Sequence, residues 1–450
     1  NLGGKEARAV RLMNHFGSAA EHVILSAEPD SLSARDAIDV RVKVEFPKDA
    51  PSLAGKPSLK RYREFVSYFR QFDLILSYNW GSMDGVMART LFSRAGGLPP
   101  LIHHEDGFNE DEQEKLNWKR NWFRKFALGD ARALVVPSEK LAKIARDVWK
   151  QPEQKIQRIP NGIDVKRFDK KPQRGALPGF TKRDGEVVVG TVAGLRAIKN
   201  LPRLVRACAV AGDNVRLVIV GEGPEKDTIL AEAQRVGLGD RLLMPGFMAD
   251  PARYIGLFDI FALSSDSEQF PISLIEAMAA GLPVSATDVG DIKSMVSQAN
   301  QGFVKPLPDE SKFQESLTTL VQHQQLREDL GMQNRLKAQA EYNESKMLAR
   351  YGLLYGHALG RDRRCGYAGQ AGLRDFRRQG RDQHQRPVGN GRRTASAGRR
   401  ARADQRHDCR SDLRCGHALQ AVGNRPAIWR ELSADHQLRP RLSRAVEAGL

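Results

Sequence analysis

Cysteine is scarce: the 450 residues hold four, at irregular spacing. That excludes a disulfide framework and a cysteine-rich zinc module, and makes a reducing, cytoplasmic compartment the expected setting. No apolar run approaches the roughly 20 residues of a membrane-spanning helix, and the residues after Asn1 lack the pattern of a secretory signal. Lysine is missing altogether from residues 361–450, which carry 21 Arg against nine acidic residues and so +12 of the net +17. The basic character therefore belongs to this stretch, and a nucleic-acid partner is not expected. Three of the cysteines, Cys365, Cys409 and Cys415, fall there too. A disordered anion-binding segment, a small extra domain and out-of-frame translation of GC-rich DNA all fit its Arg-, Gly- and Gln-rich composition. Too few apolar residues are patterned to offset the ordering cost of a domain. The expectation is disordered or out-of-frame sequence.

What is present is a repeated alternation of short apolar runs and amphipathic stretches. A glycine turn, Gly3 and Gly4, leads into a helix with Ala9, Leu12, Met13 and Phe16 on one face. A doubly wound half starts with a strand before such a turn, so the numbering is expected to begin just after a first strand. Strands are expected near His22–Ser26, Val40–Glu45, Leu74–Ser77, Leu101–His103 and Ala133–Val136, with helices at Leu59–Phe69, Met83–Ser93, Asp111–Leu128 and Glu139–Val148. That spacing gives βαβ units and a parallel sheet. A second series opens at Val187–Val192 and continues through Arg216–Val220, Leu242–Met244, Ile260–Leu263, Pro283–Ala286 and Phe303–Val304. The predicted fold is α/β, with Rossmann-like domains at 1–165 and 186–342, a linker at 166–185, a closing helix at 343–360 and the Arg-rich tail at 361–450.

The most informative stretch runs from Phe258 to Gly290. A buried-type strand ends at Leu263, and Ser264, Ser265, Asp266 and Ser267 turn the chain. A helix follows, opened by Pro271. Leu274, Ile275, Met278 and Ala279 form its apolar face, and Gly281 stops it. Glu268 is thereby set at the helix mouth and Glu276 inside the helix. Taken alone, Glu276 is an ordinary helix residue and Glu268 a loop charge. Taken as a pair at the carboxyl end of a parallel sheet, they suit a polyol or phosphate ligand.

The stretch resembles the Glu-x7-Glu signature of the retaining glycosyltransferases of family four (group 1), which have the GT-B architecture. The resemblance extends through EAMAAGLPV and TDVG and to IPNGIDVKRF, Ile159–Phe168. It implies two Rossmann-like domains facing across a cleft and glycosyl transfer from a nucleoside-diphosphate sugar with retention of configuration. No further cofactor and no metal are expected. Glu268 would hold the donor sugar and Glu276 the ribose, with Gln269, Phe270, Pro271 and Ile272 around the donor and Gly3 and Gly4 facing its diphosphate. The family usually reads Glu-Gly-Phe-Gly at the first carboxylate. Here Gln269 and Pro271 replace both glycines, and Pro271 has no N–H to give.

Arg196 and Lys199 follow the first strand of the second half, where two cations suit a leaving diphosphate. The family pattern is Gly-Arg-Leu with a Lys five residues after the Arg. Lys199 matches, the Arg position is Gly194, and Arg196 lies two residues on. In the first half, His103-His104-Glu105-Asp106-Gly107 follows a strand. The resemblance implies a functional His after this strand, and His104, nearer the loop, is taken for it. Some relatives place the His where this chain has Asp106. Metal binding by this run is the alternative, and adjacent ligands on one short loop rarely close a site.

Lys115–Leu128 reads as a basic helix with Trp118, Trp122 and Phe126 at four-residue spacing. Such a helix packs its aromatics into the domain or lies on an anionic membrane surface. The first is the ordinary reading. The resemblance brings glycan or lipid-linked acceptors with it, and so peripheral contact at the inner face of a membrane. The function expected is glycosyl transfer in cell-surface polysaccharide or glycoconjugate synthesis. A nucleotide-sugar epimerase or hydrolase of the same fold, or a non-catalytic nucleotide-sugar-binding relative, is the alternative.

Overall fold

The structure is a computed structural model that describes residues 4–27, 33–108, 112, 116–173, 175–360 and 443–448. Gly3, Asp111, Lys115 and residues 361–442 lie outside the described residues.

The first half opens with helix α1 (Gly4–Phe16), strand β1 (Ala20–Leu25) and strand β2 (Lys43–Glu45). Helix α2 (Leu59–Phe69) follows, started by Ser58, whose hydroxyl accepts from the Arg61 N–H. Its Tyr62, Phe65, Val66 and Phe69 recur at helical period and are buried. Burial of each such side chain stabilises the half by about 1.5–3 kcal/mol. The alternation continues through β3 (Leu74–Tyr78), α3 (Met83–Leu91), β4 (Leu101–His104), α4 (Trp118–Ala127), β5 (Ala133–Val136), α5 (Glu139–Asp147) and β6 (Ile156–Arg158). Helix α4 starts later than the expected Asp111 because the Asn117 side chain caps it, accepting from the N–H groups of Lys119 and Arg120.

A last strand, β13 (Ser443–Ala448), joins this half. The seven parallel strands lie in the order β2-β1-β13-β3-β4-β5-β6. In register, Ala20–Leu25 face Ser443–Ala448 on one side, and Leu74–Ser77 face Ala445–Ala448 on the other. Residues 443–448 thus lie inside the sheet, between β1 and β3. Strand β13 falls within the stretch 361–450 expected to be disordered or out-of-frame.

The second half contains β7 (Val187–Val192), α6 (Leu201–Ala211), β8 (Val215–Val220), α7 (Lys226–Arg235), β9 (Leu242–Gly246), β10 (Ile260–Leu263), α8 (Ile272–Ala279), β11 (Val284–Thr287), α9 (Ile292–Met295) and β12 (Val304–Lys305). Its six parallel strands run β12-β11-β10-β7-β8-β9. Their near-continuous Val, Ile and Leu content fits a sheet covered on both faces. Helices α10 (Glu310–Gln322), α11 (Gln324–Glu341) and α12 (Glu344–Ala358) complete the chain of helices.

Two features join the halves. Residues read as linker are not free: Phe168 and Leu177 pack into the core of the second half. Helix α12 lies on the first half, where Met347, Leu348, Tyr351 and Tyr355 pack with Ala9, Leu12, Phe16, Leu76 and Ile102. The carboxyl ends of both sheets carry the loops that hold the candidate site.

Candidate active site

In the second half the site is built from the loops after β7 and β10. The loop after β7 lies against the Gly221–Gly223 turn. Leu195 donates its N–H to the Glu222 carbonyl at 2.9 Å, and a Cβ on Gly221, whose φ is +147°, would stand 1.9 Å from the Ala193 oxygen. Only glycine permits that approach. The two loops are stitched together. Asp266 donates its N–H to the Ile198 carbonyl at 2.8 Å, and Ser264 Oγ to the Lys199 carbonyl at 3.0 Å.

This stitching brings Lys199 Nζ to 2.5 Å from Glu268 Oε1, which also accepts from Ser265 Oγ at 2.8 Å. Glu268 is 9% exposed, so the pair is a largely desolvated, charge-assisted contact. Its backbone is fixed from the other side by Gly290, whose φ is +62° and where a Cβ would lie 2.3 Å from the Glu268 carbonyl oxygen. Arg196 is exposed, and its Nε stands 3.5 Å from where a Gly194 Cβ would be. The guanidinium therefore covers the position where the family carries Arg.

Around helix α8 the picture divides. Pro271 precedes it and no side chain caps its first turn. Phe270 is buried, edge-on to Tyr342 at 5.8 Å, so it anchors the loop. Gln269 points the other way: its Oε1 is buried without a hydrogen-bond partner among the described residues. Burial pushes the Glu276 carboxyl up to about 7, against the opposing pull of Arg11 and Arg167, with Asp250 adding to the rise.

From the first half, two glycines meet this surface. Ile272 Cδ1 stands 3.1 Å from where a Gly4 Cβ would be, and Gln269 Cγ 3.1 Å from a Gly107 Cβ. The cleft is therefore bounded by the start of α1 and the loop after β4 on one side, and by residues 268–272 on the other. Asp106 accepts from the buried Arg8, through Nη2 at 2.7 Å, and donates its own backbone N–H to Asn79 Oδ1 at 2.8 Å.

His104 does not take part. It is fully buried, stacked on Tyr78 at 4.6 Å, with Nδ1 at 3.2 Å from the Ser77 carbonyl and Nε2 at 3.1 Å from the Tyr355 hydroxyl. Burial, with help from nearby Arg8, holds its pKa well below the usual value, so it is neutral. This corrects the expectation that His104 reaches the reacting centre: α12 covers the face of β4 that it occupies. His103, on the opposite face, bonds Ser77 Oγ at 2.9 Å. Among the described residues no group of three or more His, Cys, Asp or Glu is placed to hold a metal ion.

Sequence reasoning missed Arg8, Arg11, Ser265 and Asp291. The one-turn spacing of Arg8 and Arg11 on α1 was a usable signal. Asp291 carried none, because its partners are the N–H groups of Glu139 and Lys140 in the other half.

Comparison with known proteins agrees with this architecture. Residues 2–167 match the model of Glycosyltransferase Family 4, and residues 177–337 that of Glycosyl transferases group 1. The chain belongs to the group 1 glycosyltransferases of GT-B fold. The chain is 24% identical over 241 residues to N-acetyl-alpha-D-glucosaminyl L-malate synthase of Bacillus anthracis, covering 53% of this chain and 63% of the relative. It is 24% identical over 303 residues to the UDP-Gal:alpha-D-GlcNAc-diphosphoundecaprenol alpha-1,3-galactosyltransferase of Escherichia coli, covering 64% and 76%. The chain thus spans about three fifths of the first of these relatives. Among solved structures, HepE of Anabaena in complex with UDP superposes with a TM-score of 0.66 at 18% identity, over 79% of this chain and 97% of that one. Sucrose-phosphate synthase of Thermosynechococcus elongatus gives 0.63 at 21%, over 80% and 94%.

Proposed function

We propose that the protein transfers a glycosyl group from a nucleoside-diphosphate sugar to a glycan or lipid-linked acceptor, with retention of anomeric configuration, in cell-surface polysaccharide or glycoconjugate synthesis. The observation that carries this reading is the Lys199–Glu268 contact at 2.5 Å, set opposite Gly4 and Gly107 of the other half. The Escherichia coli relative, named for transfer from UDP-Gal to a diphosphoundecaprenol-linked sugar, and the UDP complex of HepE support the donor and acceptor classes.

The chemistry follows from charge. As the bond from the anomeric carbon to the leaving phosphate breaks, negative charge grows on the diphosphate. Cations fixed beforehand stabilise that charge more than the ground state. Lys199 and Arg196 supply them. Glu268 then accepts hydrogen bonds from donor-sugar hydroxyls, and Glu276 from the ribose. Gln269, Pro271 and Ile272 line the sugar side, and Gly4 lets the backbone of α1 approach the diphosphate, with Gly3 beside it in sequence. The leaving phosphate oxygen takes the proton of the attacking acceptor hydroxyl on the same face, which leaves the configuration unchanged. The enzyme works at the inner face of a membrane, where lipid-linked acceptors are presented.

The test is a panel of nucleoside-diphosphate sugars with acceptor extracts from the native cell, following nucleotide release and the anomeric coupling of the product by NMR. Acceptor-dependent release with retained configuration is expected. Release without acceptor transfer would favour a hydrolase or epimerase, and an inverted product would remove the retaining mechanism.

A further inference from the structure

Helix α4 shows the solvent what a core helix hides. Trp118 is 72% exposed, Trp122 61% and Phe126 45%. The two last rings touch each other at 4.2 Å. This overturns the ordinary reading of the helix, in which the aromatics pack inward. The inward face is instead held by Arg124, which is buried and bonds both oxygens of Glu112 at 3.0 Å, and by Phe123 against Trp80 at 5.7 Å. The wall of the domain is complete without the three outer rings.

The charge pattern on the outer face narrows the occupant. Residues Trp118–Ala127 contain no Asp or Glu and four cations. Arg120 and Arg124 turn inward to Glu112. Lys119 and Lys125 stay exposed beside the rings, with Nζ 5.7 Å from the Trp118 ring and 6.0 Å from the Phe126 ring. Leu91, 57% exposed, stands at the far end of the helix, where Thr90 Oγ1 donates to the Ala127 carbonyl at 2.5 Å.

We propose that this face of α4 docks on an anionic lipid bilayer. The rings would sit at the headgroup boundary, where an amphipathic aromatic is most stable. The lysine stems would lie along the apolar surface with their ammonium groups among lipid phosphates. A second copy of this chain fits worse, because a two-fold contact would bring the same exposed lysines together. The docking also has a consequence for the cleft. Helix α4 runs back from the carboxyl end of the sheet, and Arg124 Nε lies 3.4 Å from the buried Glu105, two residues before Gly107. Helix α4 is thereby tied through Arg124 to the loop after β4 that bounds the cleft. The proposal stands on α4 itself and does not depend on the transfer reaction.

Flotation of the full-length protein with vesicles of phosphatidylcholine, or of phosphatidylcholine with phosphatidylglycerol, tests it. Two surface variants are needed: Trp118→Ser/Trp122→Ser/Phe126→Ser and Lys119→Glu/Lys125→Glu, with circular dichroism to confirm folding. The wild type is expected to float with the anionic vesicles, with its tryptophan emission quenched by brominated lipid and binding weakened by salt. Each variant should bind about tenfold more weakly or worse. Wild-type protein that stays in solution overturns the proposal. So do variants that float like the wild type, since the Arg-rich residues 361–450 would then carry the binding. A dimer of the wild type that the ring variant abolishes, without vesicle binding, assigns the face to a second copy instead.

Discussion

The Asp291 carboxylate accepts hydrogen bonds from the N–H of Glu139 at 2.6 Å and of Lys140 at 3.1 Å. A side chain of the second half therefore caps α5 of the first. The first-turn N–H groups of a helix carry partial positive charge and want an acceptor. Ser138 satisfies one of them, at Leu141, and Asp291 satisfies two more from the other half.

Asp291→Ala should therefore cost about 1 kcal/mol of unfolding free energy, in the range of a lost cap, and shift the population toward an open cleft. Denaturant titration reads the first and small-angle scattering the second. Asp291→Asn, which keeps one oxygen acceptor, should lose less. Identical midpoints and identical radii of gyration for wild type and Asp291→Ala would sink the idea of an interdomain latch.

Lys199→Ala and Glu268→Ala should each lower turnover about tenfold or more, the scale of one charged transition-state contact. Because the two side chains touch at 2.5 Å, their effects should not add. A double-mutant cycle should show coupling of about 0.5–3 kcal/mol. Strict additivity would mean that the pair is incidental to the reaction.

Glu276 gives a pH signature. Its carboxyl is raised to about 7 in the folded protein, chiefly by burial, from an ordinary value of 4.5. Between those values the folded state holds a proton that the unfolded chain has released. This group's contribution is then fully present below about 4.5 and is lost as pH rises toward 7. Glu276→Gln removes that loss. The stability of the variant relative to wild type should rise between pH 5 and 8, measured by urea titration at each pH. A difference that does not change with pH would show that Glu276 is ionised throughout.

The fold was legible because its signals are local. Apolar runs such as Val187–Val192 and periodic faces such as Tyr62, Phe65 and Phe69 announce their elements within one turn or one strand. The Glu268–Glu276 spacing and the downstream helix stop at Gly281 belong to the same class. What failed was the choice of face. Alternation correctly sends His103 and His104 to opposite sides, yet nothing near them in sequence reveals that α12 covers the side His104 takes. The periodicity of α4 likewise shows one aromatic face without showing which way it turns. Asp291 and Glu139 lie 152 residues apart, and no local pattern links them.

The position of residues 443–448 reverses the order of making and finishing. Strand β13 lies between β1 and β3, in the middle of the first sheet. A ribosome makes it after the whole second half, which at 5–20 residues per second is roughly 20–80 s after β1 has emerged. Until it is made, the pairing that β13 gives to the facing edges of β1 and β3 is lacking, and an unpaired strand edge is a template for a wrong partner. The sheet that begins the chain is therefore completed by a strand made after the other sheet is finished.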